Sequence, residues 1–183
     1  MPGAFDGVLT LVGLSCTGKS TVARILAGRW GWTWVDLDQV IAGRADLSIP
    51  ELFRVHGEGR VRQLEQDALK DALNGEQVIL ATGGGAPCGD GAMSMILAAG
   101  PAIWLRATEG QLADRLEASE DRPLLQGETR GQICGLLAGQ LTERASFYAQ
   151  ATAHVDTDDR SPLEVALAIE ASLGGTRDGP WKP

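Results

Sequence analysis

The chain is poor in cysteine, and its cysteines show no pairing pattern. Three occur among the 183 residues, at Cys16, Cys88 and Cys134. An odd number without paired spacing excludes a disulfide framework and is typical of a reduced, intracellular protein. No C-x2-C pair of the kind that binds structural zinc is present. We therefore expect a cytoplasmic protein without a cysteine-held metal.

Long apolar runs and an excess of basic charge are also absent. No stretch approaches the roughly 18 apolar residues that a membrane span needs, and the first residues lack the basic and apolar regions of a signal peptide. The formal net charge is −8, which disfavours binding to nucleic acid or to an anionic membrane surface. We predict neither kind of partner and expect a monomer.

Lysine is scarce as well, with three lysines against thirteen arginines. The planar guanidinium group of arginine suits carboxylate and phosphate ligands better than the point charge of lysine does. Genome composition explains the same bias equally well, so the count alone does not identify a ligand.

The sequence does contain one strong motif, at residues 13 to 20. The stretch reads Gly13-Leu14-Ser15-Cys16-Thr17-Gly18-Lys19-Ser20. It matches the phosphate-binding P-loop pattern G-x-x-x-x-G-K-[ST], which requires a strand before it and a helix after it. Residues 8–12 form a short apolar run of β-formers, and residues 21–27 carry a helical apolar stripe. The motif and its flanks together predict a nucleotide phosphate site.

The residue types of the motif explain how it would bind phosphate. Glycine lets backbone N–H groups turn towards an anion, and the helix N-terminus adds partial positive charge. Lys19 would reach the β- and γ-phosphates, and the Ser20 hydroxyl would hold Mg²⁺. These positions predict a nucleotide bound together with Mg²⁺.

Apolar runs and helical patterns alternate along most of the chain. Further strands are predicted at residues 32–36, 77–82, 102–105 and 153–157. Strands interspersed with helices predict an α/β fold, in which a five-stranded parallel sheet carries helices on both faces. We expect a single domain over residues 1–173. Residues 174–183 show no apolar periodicity, and we expect a disordered tail there.

Polar or glycine-rich stretches follow three of the predicted elements. Asp36 and Asp38 close the second strand, and alternation along a strand predicts that they point the same way. One would serve the Mg²⁺ hydration shell and the other a substrate hydroxyl, unless Asp38 only caps a helix. Gly83-Gly84-Gly85 follows the third strand, which favours close approach of a ligand over a merely flexible loop. Residues 119–131 are polar and separate two helical patterns, as mobile lids do.

Several separated motifs together resemble the shikimate kinase family over residues 8–173. They comprise the P-loop, Asp36-Leu37-Asp38, the stretch from Ser48 to Glu65, Gly83-Gly84-Gly85-Ala86, Arg122-Pro123-Leu124-Leu125, Arg144 with Tyr148, and Val155-Asp156-Thr157 with Arg160 and Pro162. Each motif is short, and their shared order and spacing carry the resemblance. The resemblance implies a P-loop fold of the nucleoside-monophosphate-kinase type with a mobile lid. It also implies transfer of the ATP γ-phosphate to the 3-hydroxyl of shikimate, with Mg²⁺.

The resemblance further implies a role for each matching residue. Asp38 would orient and deprotonate the hydroxyl, while Lys19 and Arg122 would stabilise the transferring phosphoryl group. Arg62 and Arg144 would hold the shikimate carboxylate, and Gly83, Gly84 and Gly85 would also bind shikimate. The nucleotide would be bound by Gly13, Ser15, Cys16, Thr17, Gly18, Lys19, Ser20, Thr21, Arg122, Arg160 and Pro162, with Arg160 and Pro162 flanking the adenine. Ser20 and Asp36 would serve the metal.

The chain departs from the family at four positions. The family usually has Gly, Glu, Gly and Phe where this chain has Cys16, Ala42, Asp46 and Val61. Because Ala42 and Val61 fall near the expected acceptor pocket, a kinase of another small hydroxy acid stays open beside the shikimate interpretation. A nucleotide-binding protein without catalysis is the third possibility. The presence of both Arg62 and Arg144 favours an acceptor that carries a carboxylate.

Overall fold

The structure is a computed structural model that describes residues 7–118 and 129–174. Within these residues the strands are β1 (Val8–Val12), β2 (Thr33–Asp36), β3 (Val78–Ala81), β4 (Ala102–Arg106) and β5 (Ala153–Asp156). The helices are α1 (Lys19–Trp30), α2 (Leu37–Ala45), α3 (Ile49–Leu73), α4 (Ala92–Ala99), α5 (Glu109–Glu117), α6 (Arg130–Tyr148) and α7 (Pro162–Gly174), with a short 3-10 helix at Ala86–Cys88. All five strands pair in parallel, in the order β2-β3-β1-β4-β5. The predicted five-stranded parallel sheet is confirmed.

Side chains alternate along β1 between two hydrophobic cores, one on each face of the sheet. Val8 and Val12 belong to the core that also contains residues of α3, α4, α5 and α6. Leu9 and Leu11 belong to the core formed with α1 and α7. Every residue of β1 is buried, as expected for a central strand of a parallel sheet covered on both faces. The predicted helices on both faces are therefore present.

The sheet order places three functional segments at one edge. β1 lies between β3 and β4, and β2 lies outside β3. Because the carboxyl ends of parallel strands meet at the same edge, the segments that follow β1, β2 and β3 are neighbours there. These segments are the P-loop, the two aspartates and the three glycines. In an open parallel sheet this edge is where ligands bind.

Ser48 and Glu51 form a capping-box pattern in the sequence, which predicts the start of a helix. The first turn of α3 shows why the helix begins there. The Ser48 hydroxyl accepts a hydrogen bond from the Glu51 backbone N–H at 3.4 Å, and the Ser48 N–H donates to the Glu51 carboxylate at 2.9 Å. This reciprocal pair is a capping box, and Pro50 fits the first turn. Gly57, with φ 73° and ψ 169°, then interrupts the helix. The interruption divides α3 into two helical segments.

The chain turns into α2 sooner than the sequence pattern indicates. Asp36 caps α2, because its carboxylate accepts a hydrogen bond from the Gln39 N–H at 3.2 Å. Asp38 therefore lies in the first turn of α2, and the argument from strand alternation was wrong for Asp38. The sequence analysis also missed α4 and the short 3-10 helix, since both follow the glycine-rich stretch without an obvious apolar periodicity.

Some predicted segments lie largely outside the described residues. Arg122 and most of the predicted lid, at residues 119–131, fall there; the described part of that range begins α6, with Thr129 as its N-cap. Of the predicted tail, only Gly174 is described, as the last residue of α7. In the described parts of the chain, no helix has the length and apolar character to cross a membrane.

Candidate active site

The P-loop turns sharply between the end of β1 and the start of α1. Gly13, Cys16 and Gly18 have φ values of 138°, 64° and 91°. A Cβ atom on Gly13 would stand 2.4 Å from the carbonyl oxygen of Leu105 on the neighbouring strand. Only glycine fits at position 13, since such a contact would displace the backbone of β4. Packing against β4 therefore requires glycine at position 13, in addition to the backbone conformation there.

Lys19 is the first residue of α1, and its side chain folds back over the P-loop. Its Nζ donates hydrogen bonds to the carbonyl oxygens of Gly13 at 2.9 Å and Leu14 at 2.6 Å, and lies 3.5 Å from Thr17 Oγ1. The side chain is buried, with 7% of its surface exposed. These contacts keep the ammonium group against the loop that would cradle the phosphates.

The two residues predicted to serve the metal are neighbours. The Ser20 hydroxyl donates a hydrogen bond to one carboxylate oxygen of Asp36, while the other oxygen accepts from the Gln39 N–H. Across residues 7–118 and 129–174 no cluster of three or more His, Cys, Asp or Glu side chains forms a metal site. Mg²⁺ in phosphate-transfer sites usually takes one or two protein oxygens and keeps phosphate and water as its other ligands. A hydroxyl beside a carboxylate fits that donor set.

Each glycine of the 83–85 loop makes room for one residue of the predicted acceptor site. A Cβ atom added to Gly83 would stand 2.4 Å from Asp38 Oδ1. A Cβ atom on Gly84 would stand 3.2 Å from Arg144 Nη1, and one on Gly85 would stand 2.2 Å from Arg62 Nη1. The three side chains come from α2, α6 and α3, which are far apart in the sequence. The structure thus brings the three predicted acceptor residues together on one loop.

Arg62 is held in place by two glutamates. Its Nη1 donates to Glu65 at 2.7 Å and its Nη2 to Glu58 at 3.0 Å, while its guanidinium carbon lies 5.4 Å from the centre of the Phe53 ring. Burial lowers the pKa of the Arg62 guanidinium, but the hydrogen bonds and charges of Glu65 and Glu58 outweigh burial and raise it. The Glu65 side chain is 7% exposed and that of Glu58 is 71% exposed. The Glu65 contact therefore fixes Arg62, whereas the exposed Glu58 contact contributes little.

A cleft of about 390 Å³ lies beside these groups. Arg62, Arg144 and Gly85 line it together with Glu65, Cys88 and Glu143, among others. Burial raises the pKa of the Cys88 thiol, and the nearby Arg144 and Arg62 oppose that shift only in part. The thiol is therefore protonated near neutral pH. The volume suits a small molecule, and the two guanidinium groups could bind a carboxylate on that molecule through charge-assisted hydrogen bonds.

The structure shows the local environment of three of the four departures from the family pattern. Cys16 and Asp46 have φ values of 64° and 53°, in the left-handed region that favours glycine. Asp46 ends α2 in this conformation, where glycine is the usual residue. Val61 is fully buried in the core on the α3 face of the sheet. It thus belongs to the hydrophobic core that supports the cleft.

Arg115 of α5 is a functional candidate that the sequence patterns did not single out. Its Nη1 donates to the Cys16 carbonyl at 3.3 Å and to Thr157 Oγ1 at 2.9 Å, and its Nη2 donates to the Thr157 carbonyl at 2.7 Å. It therefore ties the P-loop to the segment after β5. Arg160 and Pro162, the predicted adenine residues, are exposed on that segment. No local pattern marks Arg115, because its partners are distant in sequence.

The P-loop between β1 and α1, the sheet order and the acceptor residues around the 83–85 loop define a P-loop kinase of the nucleoside-monophosphate-kinase type. The sequence model that describes the shikimate kinase family matches residues 15–173 of this chain. The chain belongs to the shikimate kinase family. The reaction of that family is ATP-dependent phosphorylation of shikimate, and the sequence-based prediction of that reaction is confirmed.

Curated relatives agree over most of their length. The shikimate kinase of Geobacter metallireducens is 36% identical over 165 residues, which cover 90% of this chain and 90% of that protein. The shikimate kinase of Moorella thermoacetica is 32% identical over 167 residues, which cover 91% of this chain and 94% of that protein.

Solved structures agree in fold. The shikimate kinase of Bacteroides thetaiotaomicron has a TM-score of 0.87 at 29% identity, over 92% of this chain and 99% of that one. The shikimate kinase of Acinetobacter baumannii, solved in complex with shikimate, has a TM-score of 0.84 at 28% identity, over 93% of this chain and 94% of that one. A gluconokinase of Sinorhizobium meliloti has a TM-score of 0.59 at 16% identity, over 94% of each chain, and this likeness concerns the fold alone.

Proposed function

We propose that this chain transfers the γ-phosphate of ATP to the 3-hydroxyl of shikimate, and that Asp38 orients and deprotonates that hydroxyl. The observation that carries the proposal is the meeting of Asp38, Arg144 and Arg62 on Gly83, Gly84 and Gly85, respectively. A carboxylate beside two guanidinium groups suits a ligand that carries both a hydroxyl and a carboxylate. The acceptor would then be fixed at one end and react at the other, which is how positioning accelerates a transfer.

Arg62 and Arg144 hold the acceptor carboxylate through charge-assisted hydrogen bonds. Arg62 is pre-oriented by the buried Glu65, so little conformational entropy is lost when the acceptor binds. Its contact with Glu58 is exposed and weak, and a bound carboxylate replaces it at small cost. The cleft of about 390 Å³ has room for a ring of the size of shikimate. Asp38 then faces one hydroxyl of the fixed ring.

ATP binds along the P-loop, at Gly13, Ser15, Cys16, Thr17, Gly18, Lys19, Ser20 and Thr21. Lys19 stabilises charge on the transferring phosphoryl group, because its ammonium already rests on the loop that cradles the phosphates. Phosphoryl transfer depends on such electrostatic stabilisation more than on covalent catalysis. Arg160 and Pro162 flank the adenine. Arg122 and the lid over residues 119–131 complete the site in this proposal, although 119–128 lie outside the described residues.

Ser20 and Asp36 would hold Mg²⁺, Ser20 through its hydroxyl and Asp36 through a bound water. When bound, the ion neutralises charge on the phosphate oxygens and orients them. We also propose that residues 1–173 form a single domain and that the protein is a monomer in the cytoplasm. The three free cysteines and the net charge of −8 are compatible with a monomer in the cytoplasm.

The test is a coupled assay of ADP release with single-residue variants. Arg144→Ala and Arg62→Ala should weaken shikimate binding by roughly 2–5 kcal/mol, as for loss of one partner from a buried charge pair, with little change in ATP affinity. Asp38→Asn should bind both substrates and turn over slowly. The exposed Arg60 on α3 offers a matched control, and Arg60→Ala should behave as wild type.

The same assay decides between acceptors. Shikimate, quinate and gluconate are compared at equal concentration with the wild-type protein. Faster turnover of quinate or gluconate than of shikimate would replace shikimate by that acid as the acceptor. Equal loss of ATP and shikimate affinity in Arg144→Ala would contradict the division between the two sites.

A further inference from the structure

We propose that Tyr148 is a positioning residue of the acceptor site, which acts by holding the Gly84 carbonyl so that the 83–85 loop keeps its contacts with Arg144 and the P-loop. The inference rests on the proposed acceptor site. It assigns to Tyr148 a specific effect on acceptor binding, separate from a general effect on stability.

Tyr148 is the single tyrosine of the chain and the last residue of α6. It is fully buried, and its hydroxyl donates a hydrogen bond of 2.5 Å to the carbonyl oxygen of Gly84. Its ring centre lies 5.8 Å from that of Trp104. Burial raises the pKa of the Tyr148 phenol far above its ordinary value. The phenol therefore remains a proton donor over the whole working pH range.

Gly84 is the point at which three parts of the site meet. From the place of a Cβ atom on Gly84, Arg144 Nη1 is 3.2 Å away and the backbone nitrogen of Ser15 is 3.5 Å away. Arg144 and Tyr148 are four residues apart on α6, and hence lie on the same face of the helix. The helix thus contacts Gly84 twice, through a guanidinium group and through a phenol. The P-loop contacts the same glycine from its own side.

The hydrogen bond to Gly84 matters because glycine has little conformational preference of its own. Three successive glycines can adopt many backbone conformations, so the loop needs an external contact to keep one of them. Without the phenol, the Gly84 carbonyl loses this hydrogen bond, and the adjoining peptides are less restrained. Arg144 and Arg62 both pack on this loop, and a shift of about 1 Å at such a site is costly to binding and turnover.

The decisive variant is Tyr148→Phe, which keeps the buried ring and removes only the hydroxyl. We expect the KM for shikimate to rise about three- to tenfold, as for loss of one hydrogen bond, while the KM for ATP stays unchanged. Trp104→Phe is the matched control, since it disturbs the packing around the same ring and leaves the bond to Gly84 in place. This control variant should lower the thermal midpoint of unfolding, and it should not raise the KM for shikimate relative to the KM for ATP.

A second measurement tests whether Tyr148 acts through its neighbours. In an Arg144→Ala background, Tyr148→Phe should add much less to the KM for shikimate than it does alone, because coupled residues are not additive. Equal increases in both KM values, or a lower midpoint with an unchanged KM for shikimate, would reduce Tyr148 to a structural role. Failure of the acceptor site itself would look different, since Arg144→Ala would then leave the KM for shikimate unchanged.

Discussion

The phosphate-binding half and the acceptor half of the site are built in opposite ways. The P-loop is one contiguous stretch, and within it Lys19 donates hydrogen bonds to the carbonyl oxygens of Gly13 and Leu14. The acceptor half takes Asp38, Arg62 and Arg144 from three helices and brings them together on three glycines. A local motif makes the first half, whereas only the packing of the whole chain makes the second.

This difference predicts how each half fails. In the proposed site, a substitution in the P-loop removes a group that would act directly on the phosphates. A substitution in the 83–85 loop acts through another residue, because an added side chain displaces a guanidinium or a carboxylate. The first kind of change should lower turnover. A change at Gly84 or Gly85, which displaces a guanidinium group, should instead lower the affinity for the acceptor while ATP affinity is kept. The following predictions test that separation.

Lys19→Ala should have the largest effect. Loss of one preorganised charge from a transition state typically lowers kcat by about 10² or more, and we expect that decrease here. The fold should persist, because the Lys19 ammonium group donates its hydrogen bonds to carbonyl oxygens of the P-loop. Steady-state kinetics and circular dichroism measure both. Lys70→Ala, at an exposed position on α3, is the control; a kcat for Lys19→Ala close to that of the control would remove Lys19 from the mechanism.

Gly85→Ala should have the next largest effect. Its Cβ would stand 2.2 Å from Arg62 Nη1, so the guanidinium must leave its present position. We expect the KM for shikimate to rise about tenfold or more with an unchanged KM for ATP. Gly59→Ala, where a Cβ meets nothing within 4 Å, should leave both KM values unchanged. Equal changes in the two KM values of Gly85→Ala would show that the halves are not separable.

Thr10→Val tests the strand that carries the P-loop and should change stability alone. Thr10 Oγ1 is fully buried and, among the described side chains, has no hydrogen-bond partner. An isosteric apolar side chain removes that unsatisfied hydroxyl and should raise the free energy of unfolding by about 1–2 kcal/mol. Thr82 is the matched contrast, since its hydroxyl donates to the Leu11 carbonyl at 3.0 Å. Chemical denaturation should therefore show a gain for Thr10→Val and a loss for Thr82→Val.

Cys16→Gly should give the smallest effect. Relief of the left-handed backbone at φ 64° stabilises the native state by roughly 1–2 kcal/mol, and the greater freedom of glycine in the unfolded chain offsets part of that gain. We expect a rise in the thermal midpoint of about 1–3 °C and unchanged ATP affinity. Asp46→Gly should gain less, because aspartate tolerates this conformation better than cysteine. A larger gain for Asp46→Gly than for Cys16→Gly would contradict this account.

Local patterns were sufficient to predict most of the secondary structure. The apolar runs gave the five strands within two residues of their ends, and the capping sequence at Ser48 gave the start of α3. They were insufficient for α2 and α4. Asp36 both ends β2 and caps α2, so no turn separates the two elements in the sequence. Helix α4 is nearly all apolar on a short segment, which periodicity cannot distinguish from a strand.

The candidate site divides in the same manner. The P-loop between β1 and α1 was predictable, because backbone conformation and charge there follow from a few adjacent residues. The roles of Gly13, Gly18 and Lys19 in binding and catalysis stay predictions. The importance of Glu65 was not predictable from its spacing to Arg62, since that spacing is also typical of exposed ion pairs. Burial makes the difference, and burial depends on what packs over the helix. Arg115 was missed for the same reason, as its partners Cys16 and Thr157 are brought near only by the sheet.

The sequence by itself determined the phosphate-binding motif, the α/β class and, through the order and spacing of its motifs, the family. Each of these depends on interactions between residues close in the chain or on a pattern along it. The tertiary structure decided the strand order β2-β3-β1-β4-β5, the burial of Glu65 and the placement of three side chains on three glycines. These depend on contacts between distant segments, whose free energy is gained only when the whole sheet and both cores have formed.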